Sequence, residues 1–340
     1  MDLDDLEGMA SLDPSGMLKE IAAFPRHIED AVRLGEQAPA LDGQPEAVLF
    51  VGMGGSAIGG ILLQQLYRDT CPIPIMVHRG YRLPAWADES TLVVATSYSG
   101  NTAETLSCFK QALQRGCKTL SISSNGALEE FSGGADCHIA VPRDMQPRAA
   151  LAYLMLPPLK ILERYGLAAL PDMEQVVGEV RAYGDTLAPG VPLADNPAKQ
   201  LAAGIQGVPL IYGHGYLGAV ATRWRQQINE NAKMAAADFM VPEASHNELM
   251  AWAHGQQQDA TCLFLRQPDE PEGIARRYDY MAETYGRHAR VEQVTARGQS
   301  RLSRLLSLVH LGDYVSVYLA LRRDVDPTPV SLIEQLKRRL

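Results

Sequence analysis

The sequence predicts an α/β protein that builds one layout twice: two α/β/α sandwich subdomains, each around a mainly parallel sheet, with helices before the first and a helix after the second. Two observations predict it. Short apolar runs alternate with amphipathic stretches, the pattern of strands buried on both faces and joined by crossover helices. Twice, an apolar run enters a glycine-rich turn that opens a helix, as FVGMGGSAIGG near Gly52 and as IYGHGYLGAV near Gly213. No tandem repeat of roughly 20–50 residues is present, so a domain is duplicated and a solenoid is excluded.

Residues 1–45 carry helix signals, MLKEIAAFPRHIEDAVRLGEQA among them, and end in the turn-forming PALDGQPE; they are expected as an N-terminal helical segment. The first subdomain is expected over 46–168. Its strands are AVLFVG, PIMVHR, TLVVATS, KTLSISS and HIAVP, and a helix from Arg148 to about Tyr165 closes it. The passage holding LPDMEQ and APGVPLADNP reads as the linker, since proline interrupts both helices and strand ladders. The second subdomain is expected over 190–325, with VPLIYGHG, ATCLFLR and RVEQVTA as strands and a long helix from Ser300 to Arg323. After GHGYLG its first helix runs into QQINENAK, with no strand expected close behind. Residues 326–340, DPTPV and a short basic helix, form a C-terminal helical tail.

At 46% hydrophobic and 21% charged, the 340 residues can bury a sizeable core, which excludes a disordered or fibrous chain. Lys and Arg number 31 against 40 Asp and Glu, for a formal net charge of -9. A chain of that sign draws in neither nucleic acid nor anionic lipid through its overall field, so an anionic ligand must be held by local geometry. No apolar run approaches the ~18–20 residues of a membrane span. The acidic opening, MDLDDLEGMASLDPSG, lacks the basic-then-apolar build of a secretion signal. The five cysteines form no CxxC pair and read as buried thiols of a reducing compartment. A cytoplasmic location is expected.

GHGYLG (Gly213–Gly218) and, more loosely, GMGGSA (Gly52–Ala57) match the dinucleotide-binding turn, each after a strand and before a helix. The acid expected about 20 residues further on is missing in both places. PIMVHR ends in His78 and Arg79, and the second turn has no strand to carry one. Close packing of helix on strand suffices to explain the second turn, and no cofactor is expected. The segment ATSYSGNTAET is more specific. It sits between the strand TLVV and a helix, and offers the hydroxyls of Ser97, Ser99 and Thr102 with Gly100 for a tight turn. Hydroxyls and backbone N–H groups converging on a helix N-terminus make a phosphate cradle that needs no lysine. The plainer reading is helix capping, which Ser, Thr and Asn all do well.

VGMGGSAIGG and TSYSGNTAET together resemble the sugar isomerase domain, a parallel α/β/α unit that binds phosphosugars. Two such units, with NENAK, PEASHNEL, HLGDYVSVYLA and DPTPVSLIEQLK in the second half, resemble the bifunctional phosphoglucose/phosphomannose isomerase family over nearly the whole chain. The resemblance implies that Gly54, Gly55 and Ser56 line the sugar pocket and that Ser97, Ser99 and Thr102 hold the phosphate. It implies Glu230 in NENAK as the base that moves the proton between neighbouring carbons, with Arg148 in QPRAAL beside the developing enediolate. His246 in SHNEL and Lys337 near the C-terminus would move protons during ring opening. It further implies a homodimer, a sugar phosphate as the only small-molecule partner, and chemistry without metal or nucleotide.

The chemistry suits these residue types. A positioned proton carrier contributes about 10²–10⁴-fold. A guanidinium stabilises enediolate charge as a permanent cation, and imidazole exchanges protons near neutral pH. Taken alone, each has a plainer reading: Glu230 as a solvated helix face, His246 as part of a helix start, Lys337 as a cation complementing a helix C-terminus, Arg148 as a salt-bridge residue. Glu243 and Glu248 are rival acids, and Glu230 is preferred through its NENAK context. A zinc-dependent isomerase would need clustered ligands, and the eight histidines form no HxH or HxxxH. A non-catalytic phosphosugar regulator is the other alternative; those usually carry a DNA-binding domain, for which no basic patch or spare domain is evident. An amidating or deaminating phosphosugar enzyme is the third.

Overall fold

A computed structural model of the chain describes residues 1–253, 259–337 and 339. Its contacts divide the chain into two compact units, a first of Ala23–Val177 and a second of Met1–Ala22 with Gly178–Leu340. The stretch 1–45 is therefore shared. Helices α1 (Leu6–Leu12) and α2 (Met17–Ala22) belong to the second unit, and α3 (Phe24–Gln37) to the first.

The first unit continues with β1 (Ala47–Val51), α4 (Ile58–Leu66), β2 (Ile75–His78), β3 (Thr91–Thr96) and α5 (Ala103–Gln114). It ends with β4 (Lys118–Ser123), α6 (Ala127–Glu130), β5 (Cys137–Ala140) and α7 (Leu151–Arg164). Among the described residues the strands form a five-stranded sheet in the order β2-β1-β3-β4-β5, every pair parallel. The five strands match the five apolar runs. β3, at the centre, is buried at every residue, as a strand covered by helices on both faces must be. Val51 pairs with Ala95 and Thr96 with Ile122, so the loops after β1, β3 and β4 leave the sheet at one level.

Helix α8 (Met173–Asp185) lies inside the passage expected to be linker, and the boundary between the units falls within it. Its buried Val176, Val177 and Val180 supply an apolar face that the flanking prolines mask in a compositional reading. The second unit proceeds through α9 (Pro197–Gly204), β6 (Val208–His214), α10 (Tyr216–Asn231) and β7 (Ala237–Val241). It is completed by β8 (Ala260–Arg266), α11 (Glu272–Tyr285), β9 (Arg290–Thr295), α12 (Arg301–Arg322) and α13 (Ser331–Lys337). Its strands are again all parallel, in the order β7-β6-β8-β9 among the described residues. β7 is a correction, since no strand was expected after NENAK. It is an edge strand of which only Val241 is fully buried, so ADFMV shows no continuous apolar run.

α12 is the spine of this unit, and every residue from Leu305 to Leu321 is buried. Ser300 opens it with a capping box, its Oγ accepting from the Ser303 amide, so the helix begins where the sequence places it. No helix among the described residues is long and apolar enough to cross a membrane.

Candidate active site

An open parallel sheet ordered 2-1-3-4-5 sends its connections from strands 1 and 3 to opposite sides. The loops after those strands part and leave a crevice at their C-terminal ends. In the first unit this crevice lies between β1 and β3. Gly54, Gly55 and Ser56 form a short 3-10 turn directly after β1, and Ser97, Ser99 and Thr102 follow β3. One sheet edge thus brings together all six residues for which the resemblance implies sugar or phosphate binding.

The loop after β3 is tightly built. Ser97 is fully buried and its Oγ lies 2.9 Å from Thr102 Oγ1, in a bond that either hydroxyl can donate. Thr102 is the N-cap of α5, yet its side chain makes no capping hydrogen bond. Capping therefore does not account for this hydroxyl, and the first turn of α5 presents its N-terminus without a side-chain lid. Ser99 is exposed at the mouth, where its Oγ accepts from the Asn101 amide at 3.4 Å. Gly100 has φ +68°, and a β carbon there would stand 1.7 Å from the Asn125 carbonyl oxygen. Only glycine permits so close a pass between the loops after β3 and β4.

Arg148 follows β5, and the backbone of Pro147 and Arg148 lies 3.4–3.5 Å from where a Gly55 β carbon would be. The structure therefore places Arg148 against the turn after β1, in the same crevice wall. It is 3% exposed, and one of its bonds runs from Nη1 to Gln146 Oε1 at 3.3 Å. Arg148 precedes α7, which starts at Leu151, so it belongs to the incoming loop rather than to the helix itself.

The second unit carries the other three residues. Glu230 sits in the last turn of α10 and is partly exposed. Lys233 Nζ donates to the Glu230 carbonyl at 2.7 Å and to the Pro327 carbonyl at 2.8 Å. That clamp joins the end of α10 to the segment leading into α13, where Lys337 is exposed in the last turn. His246 closes the 3-10 turn Glu243–His246 after β7 and is exposed. Just beyond it, Glu248 accepts from Tyr212 Oη at 2.9 Å, from Trp252 Nε1 at 2.7 Å and from Tyr285 Oη. Glu243 accepts from Asn247 Nδ2 at 2.8 Å. Glu248, a rival for the base, is thus the anchor of the turn that carries His246. Burial pushes the phenols of Tyr212 and Tyr285 well above their usual range, and the Glu248 carboxylate adds to this, so both stay protonated donors. Sequence reasoning passed over Lys233 and this anchoring role.

The second unit has its own switch point, between β6 and β8, but the loops there differ. The segment after β8 carries Asp269 and Glu270 where the first unit has hydroxyls. Arg304 pairs with Asp269 at 2.6 Å, and Arg266 pairs with Glu270. A β carbon on Gly218 would stand 1.9 Å from Met240 Sδ, so the GHGYLG turn is consumed in packing α10 onto β7. Carboxylates thus hold the guanidinium groups of Arg266 and Arg304, and the segment after β8 presents acids where the segment after β3 presents hydroxyls.

A hydroxyl-lined switch point on a parallel α/β unit, followed by a second unit of the same order, defines a tandem sugar isomerase domain protein. The SIS domain family model matches residues 43–163, and the model of the bacterial phospho-glucose isomerase C-terminal SIS domain matches residues 194–340. The chain belongs to the bifunctional phosphoglucose/phosphomannose isomerase family. It is 37% identical to the bifunctional phosphoglucose/phosphomannose isomerase of Caldicellulosiruptor bescii, over 95% of this chain and 98% of that one. With its counterpart from Thermoplasma acidophilum it shares 35% identity, over 86% of this chain and 89% of that one. The fold is also that of a hypothetical protein from Thermus thermophilus, at a TM-score of 0.74 and 17% identity, covering 98% of this chain and 93% of that one.

Proposed function

We propose that this chain catalyses the reversible isomerisation of glucose 6-phosphate and mannose 6-phosphate to fructose 6-phosphate, by ring opening and proton transfer through a cis-enediol. The observation that carries the reading is the crevice after β3, where Ser97 and Thr102 are bonded to each other rather than spent on capping α5. A phosphate there would take up hydroxyls and the first-turn amides of α5.

In this reading Glu230 removes the proton beside the carbonyl. The C–H electron pair becomes the double bond of the enediol, and charge moves onto the carbonyl oxygen. Arg148 stabilises that charge. The hydroxyl proton on the deprotonated carbon passes to the former carbonyl oxygen, the new carbonyl forms at the deprotonated carbon, and Glu230 returns its proton to the neighbouring carbon. His246 and Lys337 deliver a proton to the ring oxygen and remove one from the adjacent hydroxyl as the ring opens. Glucose 6-phosphate and mannose 6-phosphate differ only at the carbon that loses its proton, so both give the same enediol. One base beside a rotating open chain therefore serves both. The proposal extends to a cytoplasmic homodimer acting without metal, which sedimentation and assays in EDTA check.

A coupled assay for fructose 6-phosphate, with each aldose phosphate in turn, tests the reaction. Combining Ser97→Ala with Thr102→Val is expected to raise KM tenfold or more for both sugars while kcat stays within a few-fold, and to weaken competition by inorganic phosphate equally. Unchanged KM would remove the phosphate from this crevice.

A further inference from the structure

We propose that Tyr98 is a positioning residue, whose phenol carries the geometry of the phosphate crevice to Arg148. This rests on the isomerase reading above and adds a residue that it did not include. Tyr98 lies between Ser97 and Ser99 and is 6% exposed. Its amide donates to Ser56 Oγ at 3.1 Å, in the turn after β1. Its carbonyl accepts from the Ser124 amide at 2.9 Å and from Ser124 Oγ at 2.7 Å, after β4. Its hydroxyl donates to the Pro142 carbonyl at 2.9 Å and accepts from the Met145 amide at 2.8 Å, after β5.

The backbone bonds of Tyr98 belong to the crevice and survive any side-chain change. The phenol alone reaches the loop after β5, and that loop runs directly into Arg148. The bonds to Pro142 and Met145 are to main-chain atoms, so they fix where the loop sits and not merely what fills the core. The loop bends sharply, with Asp144 at φ +68°, and further on the Ala149 amide donates to the Gln146 carbonyl at 2.8 Å. A guanidinium that must meet developing charge depends on placement of this order, since an error near 1 Å can cost about 10²-fold.

Tyr98→Phe keeps the ring and removes the phenol's bonds to Pro142 and Met145. The test measures kcat, KM and inhibition by inorganic phosphate for wild type, Tyr98→Phe, Arg148→Lys and the double variant of the full chain. Tyr98→Phe is expected to lower kcat about tenfold, with KM and phosphate inhibition within twofold. The double variant should be no slower than Arg148→Lys alone, because both changes disable one group. Losses that multiply, a rise in KM with kcat intact, or a lower melting temperature with kcat intact would each overturn the proposal. A wild-type protein that turns over neither sugar would instead overturn the isomerase reading itself.

Discussion

The β carbon of an alanine at position 100 would stand 1.7 Å from the Asn125 carbonyl oxygen, at a φ that favours glycine. Gly100→Ala must therefore push apart the loops after β3 and β4, and should raise KM for the sugar phosphate at least tenfold in steady-state assays. The hydroxyls around it were legible because SYSGNT packs them into one short run. Tyr98 and Glu248 were not. Their partners lie far along the chain, and a sequence shows residue types without showing which distant groups they meet. Glu248→Gln would turn an amide N–H₂ toward groups that already donate. It is expected to destabilise the protein by roughly 1–3 kcal/mol, read as a lower denaturation midpoint.

At the scale of elements, α10 is held against α12 by a polar ladder. Arg223, Gln227 and Asn231 recur every fourth residue on one face of α10, and meet Asp313, Asp313 and Ser316 of α12. The Arg223–Asp313 pair is buried on both sides, 2% and 6% exposed. Burial pushes the Asp313 carboxyl above its usual range, while Arg223 and Gln227 pull it back. Removing one partner strands the other, so Asp313→Ala should cost about 3–5 kcal/mol in chemical denaturation. The ladder sets the rotation of α10 and hence the direction of Glu230, next to Asn231. Central strands and α12 were readable because continuous apolar runs mark them. β7 was not, because an edge strand needs few apolar residues, and α8 was hidden by the prolines on either side.

At the scale of the whole molecule, the two copies have diverged. The order β2-β1-β3-β4 of the first recurs as β7-β6-β8-β9 in the second, while hydroxyls after β3 give way to Asp269 and Glu270 after β8. The duplicated glycine turns made the layout legible, and close packing was readable for the second, whereas the ion pairs that hold Asp269 and Glu270 after β8 are visible only in the structure. The second unit also carries an acid-sensitive point. His310 on α12 hydrogen-bonds the Ile21 carbonyl of α2 through Nε2 at 3.0 Å, and burial pushes its imidazole down to about 4. The unfolded chain binds that proton near pH 6.5, so stability falls as pH drops below about 6.5 and levels off below about 4. The loss at pH 5 should be about 2 kcal/mol, and His310→Gln should flatten that part of the profile. The proposal as a whole turns on Glu230 as the proton carrier. Its most direct test is the turnover of glucose 6-phosphate and mannose 6-phosphate by wild type and Glu230→Gln, with EDTA present. The predicted result is conversion of both sugars by the wild type and a loss of about 10²–10⁴-fold on both in the variant, at similar KM. Wild-type rates in Glu230→Gln would contradict it.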